Sequence, residues 1–197
     1  MSGQGDRGVV EGEVAEPGHW PVFRDPRFLQ LLRHWAENRQ SDDGKPGLIM
    51  PRAALDPVAI RACLAHIWLA QYLPDEDSFI FRLAGERVNE AWGASITGKR
   101  PDEFMPPASA TTAKQIYRRI LFTPAVHVGH RRIEPAERQE KSAERLVVPL
   151  SDGAGGPWGI VGMSLYHFNP VTQANLPPSV GPDVTYYPCS GLPSAAP

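Results

Sequence analysis

The chain has 197 residues, 42% of them hydrophobic and 21% charged, which is enough apolar mass to bury one sizeable core and hardly two. A formal net charge of -2 gives no electrostatic footprint for nucleic acid or for an anionic membrane surface. Cys63 and Cys189 lie far apart with no C-x-x-C spacing, no basic-then-apolar leader opens the sequence, and no apolar run approaches the ~18 residues a membrane span needs, so a reducing cytoplasm is expected.

Residues 1–24 are rich in Gly and Glu without an apolar period and read as a mobile lead-in. Asp25-Pro26 then supplies a side-chain acceptor at the N-cap and a pre-set first helical residue, so an amphipathic helix is expected over 25–40. Its stripe of Phe28, Leu31, Leu32 and Trp35 suits either the domain's own sheet or a second copy of the chain. The polar, Gly-containing 41–47 stretch ends it. Asp56-Pro57, with Ile60, Cys63, Leu64 and Ile67 at i, i+3, i+4 and i+7, predicts a second helix with the Cys63 thiol on its apolar face, where it packs as a small hydrophobe.

Trp68–Leu73 and Ser78–Leu83 flank the turn formers P-D-E-D and read as an antiparallel hairpin. Phe79, Phe81 and Leu83 fall on one face of its second strand. At Gly85 the period changes, and Val88, Ala91 and Trp92 mark a short helix stopped by Gly93. Ser109 is placed to cap a further helix, with Ala113, Ile116, Tyr117 and Ile120 inward, Lys114, Arg118 and Arg119 outward, and Thr123-Pro124 as its end. Strands are then expected over Val126–Ile133, Arg145–Leu150 and Trp158–Phe168, the last two joined by the Gly-rich SDGAGGP turn. These make a five-stranded antiparallel sheet. Residues 169–197 are dense in Pro and read as a disordered tail in which Cys189 is an exposed thiol, with docking of Val184–Tyr187 on a groove as the alternative.

The series FRLAG, a short helix ending in W-G, I-T-G, a longer helix carrying Tyr, and R-L-V-V-P-L-S resembles the bacterial PAS-like family of the alphaproteobacterial type, in which one PAS domain makes up most of the chain. The resemblance runs from about Phe28 to about Phe168. It implies an α+β, PAS-like fold with helices on one face of the sheet, sensor-like in fold rather than assigned to a reaction, and a domain over 48–168. Because PAS domains as a class host haem, flavin and small acids, the identity of any cofactor is left unknown.

No residue set argues for catalysis. Ser151 and Ser164 lack a G-x-S-x-G setting, and Glu86, Glu90, Asp102 and Glu103 fall on helix or loop surfaces. The glycine-rich turn lacks the G-K-[ST] ending and the following helix of a phosphate loop. Histidines 19, 34, 66, 127, 130 and 167 are scattered; His127 and His130, three apart in a strand, point to opposite faces and do not share one ion, so no metal is expected. Arg82 lies between apolar strand neighbours and needs a carboxylate, a carbonyl or a ligand if its face is covered, or water at an edge.

The expected protein is thus a stand-alone sensory or regulatory module that acts on a separate signalling protein by contact, with room for a small molecule in its interior. The competing readings are a ligand-free scaffold and a small enzyme of similar curved-sheet architecture. The expected pocket lining is Phe81, Arg82, Trp92, Ile116, Tyr117, Ile120, Val148 and Met163. A homodimer is expected through Phe28, Leu31, Leu32 and Trp35, with neither nucleic acid nor membrane as partner.

Overall fold

The computed structural model describes residues 12–39, 47–133, 139–170, 183–193 and 196–197, with backbone alone at 130–133, 139–142, 167–170 and 183. Its strands are β1 (Glu13–Val14), β2 (Met50–Pro51), β3 (Ile67–Leu73), β4 (Ser78–Ala84), β5 (Ala125–Ile133), β6 (Gln139–Ser151), β7 (Pro157–Pro170) and β8 (Asp183–Pro188). They form one sheet in the order β1-β8-β5-β6-β7-β3-β4, with β2 paired alongside the end of β6. The five central strands, β5-β6-β7-β3-β4, pair antiparallel as the sequence pattern requires. Helix α1 (Pro26–Glu37) covers one face, and α2 (Glu86–Trp92) with α3 (Pro107–Phe122) covers the other.

Helix α1 begins where its signals place it, the Asp25 carboxylate accepting the Arg27 N–H at 2.9 Å. Phe28, Leu31, Leu32 and Trp35 are at most 1% exposed and pack on Leu146, Val148, Val161 and Met163 of the sheet, while the Trp35 indole donates to the Pro149 carbonyl at 2.8 Å. Burying such side chains contributes about 1.5–3 kcal/mol each. The stripe is therefore spent inside the chain, which corrects its assignment as a dimer interface. The sheet competes for the same residues as a second copy would, and it is tethered.

Three local expectations change. The pattern around Asp56-Pro57 gives turns and a short 3-10 helix, Arg61–Cys63, in place of an α-helix. Asp56 does accept a cap-like bond from the Val58 N–H at 2.8 Å, but Ile67 pairs with Met163 in the sheet, and Leu64 is left 40% exposed. Helix α3 starts at Pro107, two residues before the expected Ser109 cap, because proline's fixed φ suits a first helical position. In the expected lead-in, Glu13–Val14 pair with β8, and Trp20 and Phe23 pack on the α1-side core.

The largest difference lies in the tail. Asp183–Pro188 form β8, which runs antiparallel to β5 from Ala125↔Pro188 to His130↔Asp183. Val184 and Tyr186 enter the α3-side core, Cys189 enters the α1-side core, and the Cys189 N–H reaches the Pro124 carbonyl at 2.9 Å. Cys189 is 2% exposed, not free in solvent, and burial pushes its thiol up to about 12. An unpaired β5 edge offers a row of backbone donors and acceptors, and four alternating residues, VTYY, satisfy it despite the flanking prolines. Residues 171–182 and 194–195 of the expected Pro-rich stretch lie outside the described residues.

Candidate functional site

The two faces of the sheet sort the expected pocket residues. Phe81, Tyr117 and Ile120 are buried on the α2/α3 face, with Trp92 and Ile116 partly buried beside them. Val148 and Met163 lie on the opposite face under α1, which corrects their placement. A strand alternates strictly, so an error of one residue selects the wrong side, and the residues that do face α3 are Val147 and Ile160. Arg82 is exposed and bonds the Gln71 side chain at 2.7 Å, the edge-strand outcome of the two weighed for it.

Within the expected cup the side chains meet one another. The Trp68 ring packs at 5.5 Å from Phe81 and 5.3 Å from Tyr117, Phe104 bridges Phe81 at 5.3 Å and Trp92 at 4.9 Å, and Phe79 meets Tyr117 edge-on. Such pairs add about 0.5–1.5 kcal/mol each beyond burial. Gly162 makes the arrangement feasible, since a β-carbon there would collide with the Trp68 indole. The indole N–H then donates to Ser164 Oγ at 3.0 Å, which also accepts from Arg145 Nε at 3.2 Å.

Beside this filled cup, the seam between β5, β6 and β8 is polar. His127 faces Val147 on one side and Tyr186 on the other, and alternation puts Arg145, diagonal to it on β6, on the same face. The His127 and Tyr186 rings meet edge-on at 5.2 Å, with His127 3% and Tyr186 2% exposed. Both imidazole nitrogens of His127 and the Tyr186 hydroxyl have no hydrogen-bond partner among the described residues. The guanidinium of Arg119, from α3, lies 3.7 Å over the Tyr186 ring, where its charge and hydrogen bonding also act on the phenol against the rise that burial gives it. Burial, reinforced by the positive charge of Arg145, holds the imidazole down to about 3, so His127 is neutral at physiological pH. An unpaired buried polar group of this kind costs about 1–3 kcal/mol.

This cluster is not apparent from local sequence spacing. His127 and Arg145 carry the signal, each on an alternating strand at the parity of Val147. The partner that completes the seam, Tyr186, was hidden by reading its segment as tail.

The outer side of α1 borders an open groove of about 450 Å³ lined by Arg27, Gln30, Arg33, His34, Glu37 and Ala59 among others. Most of its polar groups are tied internally. Arg27 pairs with Asp25 at 2.7 Å and meets His66 Nε2 at 2.6 Å, Gln30 donates to the Ala59 carbonyl, and Arg33 donates to the Pro197 carbonyl. Cys63 beside it donates to the Arg27 carbonyl, and burial pushes its thiol up to about 11, far from a reactive thiolate. His34 accepts from the Asp56 N–H at 3.1 Å, His19 is exposed, and the side chains of His130 and His167 lie outside the described residues. Among the described residues no group of three His, Cys, Asp or Glu side chains is placed to hold a metal, and no helix is long and apolar enough to cross a membrane.

A search of the curated proteins found no match. Among solved structures, VqmA bound to DPO matches at 17% identity with a TM-score of 0.44, covering 56% of this chain and 56% of that one. The Vibrio cholerae VqmA dimer matches at 17% and 0.45, covering 61% and 53%, so this chain spans about half the length of these structures. The PAS domain of Bordetella pertussis BvgS matches at 16% and 0.44, covering 59% of this chain and 85% of that one. Likenesses this distant carry no argument about ligand, DNA or assembly. A model of the PAS domain, however, matches residues 24–165, well over half of the sequence, and spans α1, the five central strands and both helices of the other face. The chain belongs to the PAS domain family.

Proposed function

We propose that this PAS domain is a regulatory module that acts by contact with a separate signalling protein in the cytoplasm, not a catalyst. The observation that carries the reading is the ring network of Trp68, Phe81, Phe104, Tyr117 and Trp92, which occupies the cup with the protein's own side chains. An interior filled in this way favours a packed interaction module over one that holds a large planar cofactor such as haem or flavin in the cup. Pairing of two copies belongs to the same proposal, through a surface other than the Phe28, Leu31, Leu32 and Trp35 stripe.

In-cell cross-linking followed by native mass spectrometry of the full chain tests it. The expected product is a stoichiometric complex with a second polypeptide and no chromophoric ligand. A chain recovered alone with a stoichiometric organic cofactor, retained by wild type and lost on Tyr117→Ala, would overturn the reading.

A further inference from the structure

The β5-β6-β8 seam gathers polar groups that the packed-cup reading does not use. His127 is nine-tenths buried with no hydrogen-bond partner at either ring nitrogen, the Tyr186 hydroxyl has no partner in full hydrogen-bond geometry and only the Arg119 guanidinium acting on it, and both arginines whose charges bear on His127, Arg119 and Arg145, reach this seam. Of the four buried side-chain atoms without a partner among the described residues, three are here. Among the described residues the charge acting on this pair is of one sign. No carboxylate figures among the groups acting on His127 or Tyr186, and Glu144, next to Arg145, falls on the other face by alternation.

We propose that this seam binds a small oxyanion, a carboxylate or a phosphate, taken between the Arg119 and Arg145 guanidiniums and hydrogen-bonded by a His127 N–H and the Tyr186 hydroxyl. Each group has a physical reason to serve. Arg145 has its Nε fixed on Ser164 Oγ, which pre-sets the fork that suits paired oxygens. A neutral imidazole still offers one N–H, and the phenol offers its O–H, so the donors now unused match the acceptors of an oxyanion. Both arginines are only partly buried, which gives the anion a path from solvent. Entry requires the Arg119 guanidinium to swing off the Tyr186 ring, so the site opens on binding. The site lies at the sheet edge rather than in the aromatic cup, and one wall, β8, follows the segment matched by the family model. It stands whether or not the module also contacts a separate protein.

The test uses the full chain and acetate, succinate and inorganic phosphate as probes, against chloride at equal ionic strength. Binding is read from saturable shifts of the His127 ring 15N resonances. The expected result is saturation with one of the oxyanions and an affinity at least ~10-fold weaker in Arg145→Gln, as loss of a charge-assisted pair implies. Saturation by acetate or succinate would mark a carboxylate site, and by phosphate alone a phosphate site. Arg119→Gln, at a partly buried position of α3, repeats the comparison if Arg145→Gln does not fold. Resonances that stay unmoved by all three oxyanions, or move equally with chloride or in both variants, would overturn the proposal.

Discussion

The two faces of the sheet are built from different materials. Under α1 the sheet side of the contact is aliphatic and close, with Met50, Leu146, Val148, Leu150, Val161 and Met163 all at 0% exposure, and the aromatic members Phe28 and Trp35 come from the helix, the Trp35 indole N–H being satisfied. Under α2 and α3 it is aromatic and polar, with Trp68 tied through Ser164 to Arg145 and with His127 and Tyr186 left unsatisfied. Close packing and unsatisfied polar groups thus lie on opposite sides of one sheet. The first face spends its side chains on holding the fold, and the second keeps polar groups that an apolar replacement of the same shape would improve.

The largest effect that sharpens this comparison is on the α1 face. Leu32→Asp places a charge at a fully buried position against the sheet, and we expect a loss of about 4 kcal/mol or more, read by chemical denaturation as a chain unfolded or nearly so. A variant that stays as stable as wild type and only changes its sedimentation would return the stripe to an intermolecular role.

On the other face, Gly162→Ala drives a β-carbon into the Trp68 indole, and the expected cost is about 1–3 kcal/mol with a change in Trp68 fluorescence. Unchanged stability would show that the indole does not lie across β7.

The smallest effect is the control. The Arg87–Glu90 pair sits on the surface of α2 at side-chain exposures of 62% and 49%, so Arg87→Ala should move stability by no more than about 0.5 kcal/mol.

Much of the fold could be read from the sequence because its strongest signals are local. The Phe79/Phe81 alternation, the Asp25-Pro26 cap and the α3 stripe each act within a few residues, and each gave its element. What was not legible depends on pairing at long range. Ile67 fits a helical stripe with Ile60 and Cys63 until β7 claims it through Met163. The VTYY run, too short against its prolines to read as a strand, becomes one because β5 presents an edge. The expected lining residues divide between the two faces for the same reason: helical residues such as Tyr117 and Ile120 declare their inner face by spacing. Val148 and Met163 alternate identically whichever face the helices of the cup cover.

That the α3-side seam gives up stability to keep a neutral buried histidine can be read from stability against pH in wild type and His127→Leu. The folded imidazole is held down to about 3 whereas the unfolded one titrates near its ordinary 6.5, so the unfolded chain binds the extra proton between these values. That contribution is intact above 6.5 and is lost as pH falls toward 3, with a slope of up to about 1.4 kcal/mol per pH unit from this one group. His66, whose pKa is also lowered by burial and by Arg27, adds acid sensitivity in both chains and cancels in the difference. The account predicts that His127→Leu is about 1 kcal/mol more stable than wild type at pH 7 and that the gap widens steadily below 6.5. A variant less stable at pH 7, with an acid slope equal to wild type, would contradict it.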